Sequence, residues 1–239
     1  MGLTVTVLGA CGSYPGPEQA CSGYLVRGEG TTIWLDAGSG TMANLQRHVS
    51  LQEVDAVVIS HEHPDHMGDL NGFFVACRYY IDRAHLPVYG PAGARDAMYF
   101  DGPPLEWHVV SDGDRRRVGG LDLTFSATDH SAETLAVRVD GGGRSVGYSA
   151  DSSPAWSLTA LGPGLDLALC EATYLQDHEG EAQHMSARQA GISGREAGVG
   201  RLVLTHVSPG VDREAIRHEG AAAFGADVTV AADHDEYVA

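Results

Sequence analysis

The sequence predicts an α+β fold in which sheets pack on one another and helices lie outside. Two observations predict it. Strand-like runs follow one another without a break between 121 and 149, and they alternate with helical patterns towards both ends of the chain. A purely parallel, doubly wound sheet would alternate throughout. The 239 residues, 43% of them hydrophobic, suffice to bury a real core. No linker, fixed-period repeat or composition break divides the chain, so a single domain over 1–239 is expected.

Each element follows from its local pattern. Short apolar runs bounded by Gly, Asp or Pro mark strands near 3–8, 23–27, 31–36, 55–60 and 105–110. Others fall near 121–127, 134–140, 143–149, 165–170, 201–205 and 226–230. Helical patterns cover 41–48, after Gly40, and 69–80, where Leu70, Phe73, Phe74 and Cys77 share one face. Two more cover 187–197, for which Ser186 is the expected N-cap, and 213–224. Met1, Gly2 and Thr6 match a loose N-myristoylation pattern, but the alternation from Leu3 to Leu8 reads as a first strand.

Charge excludes several function classes. The formal charge is −17, and the 15 basic residues are all arginine. Such a field repels polyanions, so no stable nucleic-acid complex is expected, although metal ions could still hold a phosphate locally. No run of about 20 apolar residues suits a membrane helix. Cys11, Cys21, Cys77 and Cys170 form no CxxC, and no signal peptide is evident, so buried thiols of a cytoplasmic protein are expected. Arg115, Arg116 and Arg117 lie between acidic residues and a Gly-Gly turn and read as a solvated hairpin flank.

The chemistry sits after the strand 55–60. Ser60 is followed by His61, Glu62, His63, Pro64, Asp65 and His66, and Pro64 predicts a loop there rather than a continuing helix. His61 and His63, two apart, can point one way to hold one metal, while Asp65 and His66 can reach a second. Imidazole and carboxylate suit Zn²⁺ and its first-row neighbours. Six residues cannot complete two coordination spheres, so further ligands are required downstream. His130, Asp151 and His206 each stand on a short turn just after an apolar strand, which places them together at one sheet edge.

With these residues in view, the sequence resembles the metallo-β-lactamase fold superfamily, and within it the ribonuclease Z-like phosphodiesterase branch. The resemblance runs nearly end to end. It includes Leu8–Ser13, Leu35–Gly40, the HEHPDH signature, His130, Asp151 and Leu204-Thr205-His206. It implies a four-layer αββα sandwich with two divalent metal ions at one edge, Zn or Mn with Fe also compatible. In that scheme His61, His63 and His130 hold one ion, Asp65, His66 and His206 the other, and Asp151 bridges them. Asp36 would orient the ligand loop from behind. Glu171 and His184 look like the branch's paired motif, in which a glutamate supports a histidine that protonates the leaving group.

The expected reaction is hydrolysis of a phosphodiester by hydroxide generated between two cations, with Asp65 holding the nucleophile. In tRNA-processing members an arm inserted between the third and fourth metal motifs grips tRNA. Here only 20 residues lie between His130 and Asp151, so the arm is absent and a small substrate, a cyclic nucleotide, is expected. Arg78 and Ser208 are the candidates for contact with it. The alternatives are a tRNA 3′-processing type of RNA hydrolase, or a thioester or lactam hydrolase of the same fold, which would not need Glu171 and His184. A non-catalytic nucleotide-binding module is disfavoured by the full ligand set. A dinucleotide site at Gly38-Ser39-Gly40-Thr41-Met42-Ala43 is rejected, because the next strand runs into the histidine cluster. A homodimer is suggested by the resemblance alone.

Overall fold

A computed structural model describes residues 2–81, 83–100 and 102–239. Met1, and with it the first residue of the myristoylation pattern, lies outside the described residues. The first sheet comprises β1 (Thr4–Gly9), β2 (Gly23–Gly28), β3 (Thr31–Leu35), β4 (Ala56–Val58), β5 (Leu86–Gly90) and β6 (Leu105–Val109). The second comprises β7 (Arg115–Val118), β8 (Leu121–Ala127), β9 (Leu135–Gly141), β10 (Arg144–Tyr148), β11 (Leu167–Glu171), β12 (Arg201–Thr205) and β13 (Thr229–Val230). The chain then returns to the first sheet as β14 (Glu236–Val238), giving the orders β14-β1-β2-β3-β4-β5-β6 and β13-β12-β11-β10-β9-β8-β7. In each sheet an antiparallel portion passes into a parallel one, at β3–β4 and at β10–β11.

The helices are α1 (Thr41–Leu45), α2 (Pro64–Met67), α3 (Leu70–Tyr79), α4 (Ala92–Asp96), α5 (Ala187–Glu196) and α6 (Arg213–Phe224). Period-2 alternation sorts the side chains into layers. Val5, Val7, Tyr24 and Val26 from the first sheet meet Leu123, Phe125, Val137, Leu169 and Val203 from the second. On the outer faces Leu25, Trp34 and Val57 pack with Leu45, Phe73 and Phe74, and Ala168, Leu202 and Leu204 pack with Ala187, Ala190 and Ile216. Each fully buried side chain of this size is worth about 1.5–3 kcal/mol, so the three clusters hold the four αββα layers together. No helix among the described residues is long and apolar enough to cross a membrane.

Most expected elements form within a few residues of their predicted bounds, and the differences have physical causes. The segment after His61 is not a plain loop: Pro64 opens the one-turn helix α2, at a first position whose N–H needs no partner. β5 escapes the sequence pattern because Pro87 interrupts it, and β7 because Arg115 and Arg117 stand on an exposed face. β14 has one buried residue in three, and α4 has a single buried residue, Ala94. The 41–48 helix stops at Leu45, and the last parallel strand shrinks to two residues. The N-cap at Ser186 forms as expected, accepting from Gln189 N. All four cysteines are buried and free, and the arginine run is indeed a hairpin flank, with Arg116 on Asp114 and Arg117 on Asp122.

Candidate metal centre

Asp36, His61, Asp151 and His206 all follow the carboxyl ends of strands, β3, β4, β10 and β12 respectively, and Glu171 ends β11. His130 follows β8, which runs in the same direction as β10 because two antiparallel ladders separate them. Within each sheet the like-directed strands therefore deliver these residues to one edge, as the sequence predicts. Asp36, Ala150 and His206 have left-handed backbones (φ 56°, 52° and 56°), which turn the chain sharply at the strand ends. Gly38 is a structural glycine of this edge: a Cβ there would lie 2.1 Å from Asp65 O, so the GxG turn serves close packing, not a dinucleotide.

Two sets of side chains converge. In the first, His61 Nε2 is 3.0 Å from His63 Nδ1, which is 3.2 Å from His130 Nε2. Asp151 Oδ2 lies 3.7 Å from His61 Nε2 and 3.8 Å from His130 Nε2. In the second, Asp151 Oδ1 is 3.2 Å from His66 Nε2 and 3.4 Å from His206 Nε2, and Asp65 Oδ2 is 3.2 Å from His206 Nε2. Asp151 thus turns one oxygen to each set. His63 and His130 are partly exposed, whereas Asp65, His66, Asp151 and His206 are all buried.

Hydrogen bonds behind the rings decide which nitrogen faces inward. His66 Nδ1 donates to Asp36 Oδ2 at 2.8 Å, and His130 Nδ1 to Gln183 O at 3.0 Å. Ser60 Oγ gives its proton to Asp36 Oδ2, so at 3.0 Å it accepts from His61 Nδ1. Thr173 Oγ1 gives its proton to Glu171 Oε2, so at 2.9 Å it accepts from His206 Nδ1. In all four rings Nε2 is then the nitrogen turned towards the others, and it carries the lone pair whenever the ring is neutral. The donor nitrogens of the first set stand near the spacing of about 3.3 Å expected around a tetrahedral ion with bonds of about 2.0–2.1 Å. His66 Nε2 and Asp151 Oδ1 are buried and make no hydrogen bond. Bare lone pairs and orphaned buried atoms of this chemistry fit a divalent cation in each set.

The electrostatics agree. Burial opposes a charge on His66, but Asp151 and Asp36 on either side hold its pKa well above 6.5. Burial and its histidine neighbours keep His61 well below that value. Burial opposes ionisation of Asp65 too, yet His206 and His66 keep it an anion. A cation in the second set would take the place of a proton that the metal-free cluster otherwise holds.

His184 stands beside the cluster, with Nδ1 3.2 Å from Glu171 Oε1 and 3.9 Å from Asp151 Oδ2. Burial lowers its pKa, but Glu171 and Asp151 overcome that effect and raise it to about 9. Glu171 is fully buried and also accepts from Met185 N at 3.1 Å. Ser208 lies on the turn after His206, its N–H bonded to Thr173 O. Arg78 is exposed on the last turn of α3 and is not among the side chains gathered at the cluster. Residue patterns did not single out Ser60, Thr173, Tyr148, the Ser13 N–H that Asp65 accepts at 2.8 Å, or the Gln183 carbonyl. Only Ser60 and Thr173 carried a signal, as hydroxyls next to strand-end ligand motifs.

A two-sheet sandwich with a histidine–aspartate cluster at one edge defines a metal-dependent hydrolase. The profile of the β-lactamase superfamily domain matches residues 31–207, and the chain belongs to that family. It is 31% identical to the probable metallo-hydrolase YhfI of Bacillus subtilis, over 96% of this chain and 97% of the relative. The crystal structure of YhfI superposes with a TM-score of 0.91 at 27% identity, covering 100% of both chains. A ribonuclease Z of Methanopyrus kandleri is 29% identical over 93% of each chain. Human tRNase Z, short form, shares the fold with a TM-score of 0.80 at 21% identity, over 98% of each chain.

Proposed function

We propose that this metallo-hydrolase is a dinuclear phosphodiesterase of small phosphodiesters, cyclic nucleotides foremost. The observation that carries the reading is the Glu171–His184 pair, 3.2 Å apart, beside the cluster. Cleaving a phosphodiester expels an alkoxide, which needs a proton, and thioester hydrolysis makes no such demand. His61, His63 and His130 would hold one ion, Asp65, His66 and His206 the other, with Asp151 shared. Zn²⁺ and Mn²⁺ suit these donors, as does Fe²⁺. Such ions, when bound, neutralise phosphate charge and lower the pKa of a water between them.

The chain's own residues do the rest. Asp65, anchored by Ser13 N–H, is placed to hold the attacking water and take its proton. His184 is oriented through Nδ1 by Glu171, which leaves Nε2 to protonate the departing oxygen as the P–O bond breaks. Ser208 and Arg78 are proposed for the outer contacts with substrate.

A small substrate is supported by the hairpin of β9 and β10, which takes up most of the span between His130 and Asp151. The charge of −17 speaks against a long polyanion. The ribonuclease Z relative keeps an RNA substrate as the second reading. The test is hydrolysis of 3′,5′-cyclic AMP with Mn²⁺ or Zn²⁺, against Asp65→Ala and beside a precursor tRNA. Cyclic AMP turnover that vanishes in the variant supports the proposal; cleavage of tRNA alone replaces it with the second reading.

A further inference from the structure

Two tyrosines cross the space between the sheets in opposite directions, and each ends behind the buried half of the cluster. Tyr148, on β10 of the second sheet, donates its hydroxyl to Asp36 Oδ2 at 2.7 Å, just past β3 of the first. Tyr24, on β2 of the first sheet, shares a hydrogen bond of 2.6 Å with Thr205 Oγ1, at the end of β12 of the second. Their rings touch, with centroids 5.1 Å apart and 56° between planes, and both side chains are fully buried.

A phenyl ring would fill the same volume, and a hydroxyl in this dry layer is costly unless it is bonded. Both hydroxyls are bonded, and both to groups next to the cluster. Asp36 Oδ2 receives Tyr148, Ser60 Oγ and His66 Nδ1 together, so the direction of the His66 ring depends on a carboxylate that Tyr148 helps to pin. Thr205 directly precedes His206, whose left-handed backbone leaves little freedom once Thr205 is held.

Among the described residues, neither hydroxyl bonds to His61, His63 or His130. Among the described residues the first set reaches this layer through Ser60, which accepts from His61 and donates to Asp36, and through Asp151, which it shares with the second set.

We propose that Tyr148 and Tyr24 are positioning residues for the buried metal position. Tyr148 acts through Asp36 and His66, and Tyr24 through Thr205 and His206. The proposal rests on the two-metal reading above and adds that the contact between the sheets sets one position and not the other.

The test is titration of metal-free protein with Co²⁺, followed by visible absorption and by metal content, in wild type, Tyr148→Phe, Tyr24→Phe and the double variant. In wild type two equivalents bind. In Tyr148→Phe one equivalent weakens by about 10-fold, the lower end of the range for losing a ligand's direct partner, because Tyr148 acts one bond further out, while the other is unchanged. Tyr24→Phe weakens the same equivalent, and the double variant does so more than either.

Unchanged affinity in both single variants, or an equal loss at both positions, overturns the proposal. If wild type binds fewer than two equivalents, the two-metal reading falls and the proposal falls with it. If wild type binds two and the variants match it, the proposal falls alone. Circular dichroism of the metal-free forms checks folding. Should Tyr148→Phe fail to fold, Tyr24→Phe, whose hydroxyl touches no proposed ligand, carries the same comparison.

Discussion

The two halves of the cluster use the same residue types but are built differently. His66 and His206 are fully buried and are held by carboxylate and hydroxyl networks lying between the sheets. His63 and His130 are partly exposed, and His130 leans on a single loop carbonyl, that of Gln183. The sandwich core therefore determines the inner half, while the outer one joins buried His61, held through Ser60, to the more exposed His63 and His130. An inner position fixed by packing is preorganised, whereas an outer one can adjust as substrate arrives. Asp151, with one oxygen towards each half, joins the two.

The largest expected effect comes from breaking that joint. Asp151→Ala should lose turnover below detection and drop metal content, by mass spectrometry, to less than one equivalent, because both halves lose a ligand. Retention of two ions would show that the halves are independent.

Next is His184→Ala. It should cut phosphodiesterase turnover by about 10²–10⁴-fold with metal content unchanged, the span of general acid catalysis. An unaltered rate would favour a substrate whose leaving group needs no proton.

Thr173→Val sharpens the comparison itself. It removes the hydroxyl behind His206 and should weaken one metal equivalent by about 10–100-fold, sparing the outer one. Isothermal titration reads the two separately.

A smaller effect concerns pH in the metal-free protein. The His184 pKa is raised to about 9 from 6.5, so its pairing stabilises fully below 6.5 and is lost as pH rises through about 9. The melting temperature of wild type relative to His184→Gln should fall by on the order of 2–4 °C across that window. Asp65 is depressed instead, so its contribution persists above the ordinary carboxylate range and disappears only in acid. A difference that grows with pH would contradict the pairing with Glu171.

Smallest is Arg78→Ala. Exposed and screened, its side chain should alter KM by no more than about threefold and leave kcat alone, given how little an exposed charge pair is worth. A larger change would make Arg78 a principal rather than an outer contact with substrate.

Much of this was legible in the sequence, for identifiable reasons. His61, His63, Asp65 and His66 fall within six residues, so local chain geometry alone brings them close. His130, Asp151 and His206 carry a weaker signal, polar residues just past apolar strands, which becomes informative only because strand ends gather at one edge. Pro64 was misleading, since a proline excludes a helix interior but is welcome at a helix start. β5 was invisible because a proline interrupts the apolar run that marks a strand, and β14 because three residues are too few to show an alternation.

The sequence by itself determined the donor chemistry, the strand-end placement of the ligands and the alternation that sorts side chains into layers. All of these are encoded by spacings of a few residues. Tertiary structure alone decided which imidazole nitrogen faces inward, that Asp151 turns one oxygen to each half, and that Tyr148 stands behind Asp36. Tyr148 and Asp36 are 112 positions apart in the chain. Hydrogen bonds across two packed sheets join such residues only once the core has closed, and no local period records them.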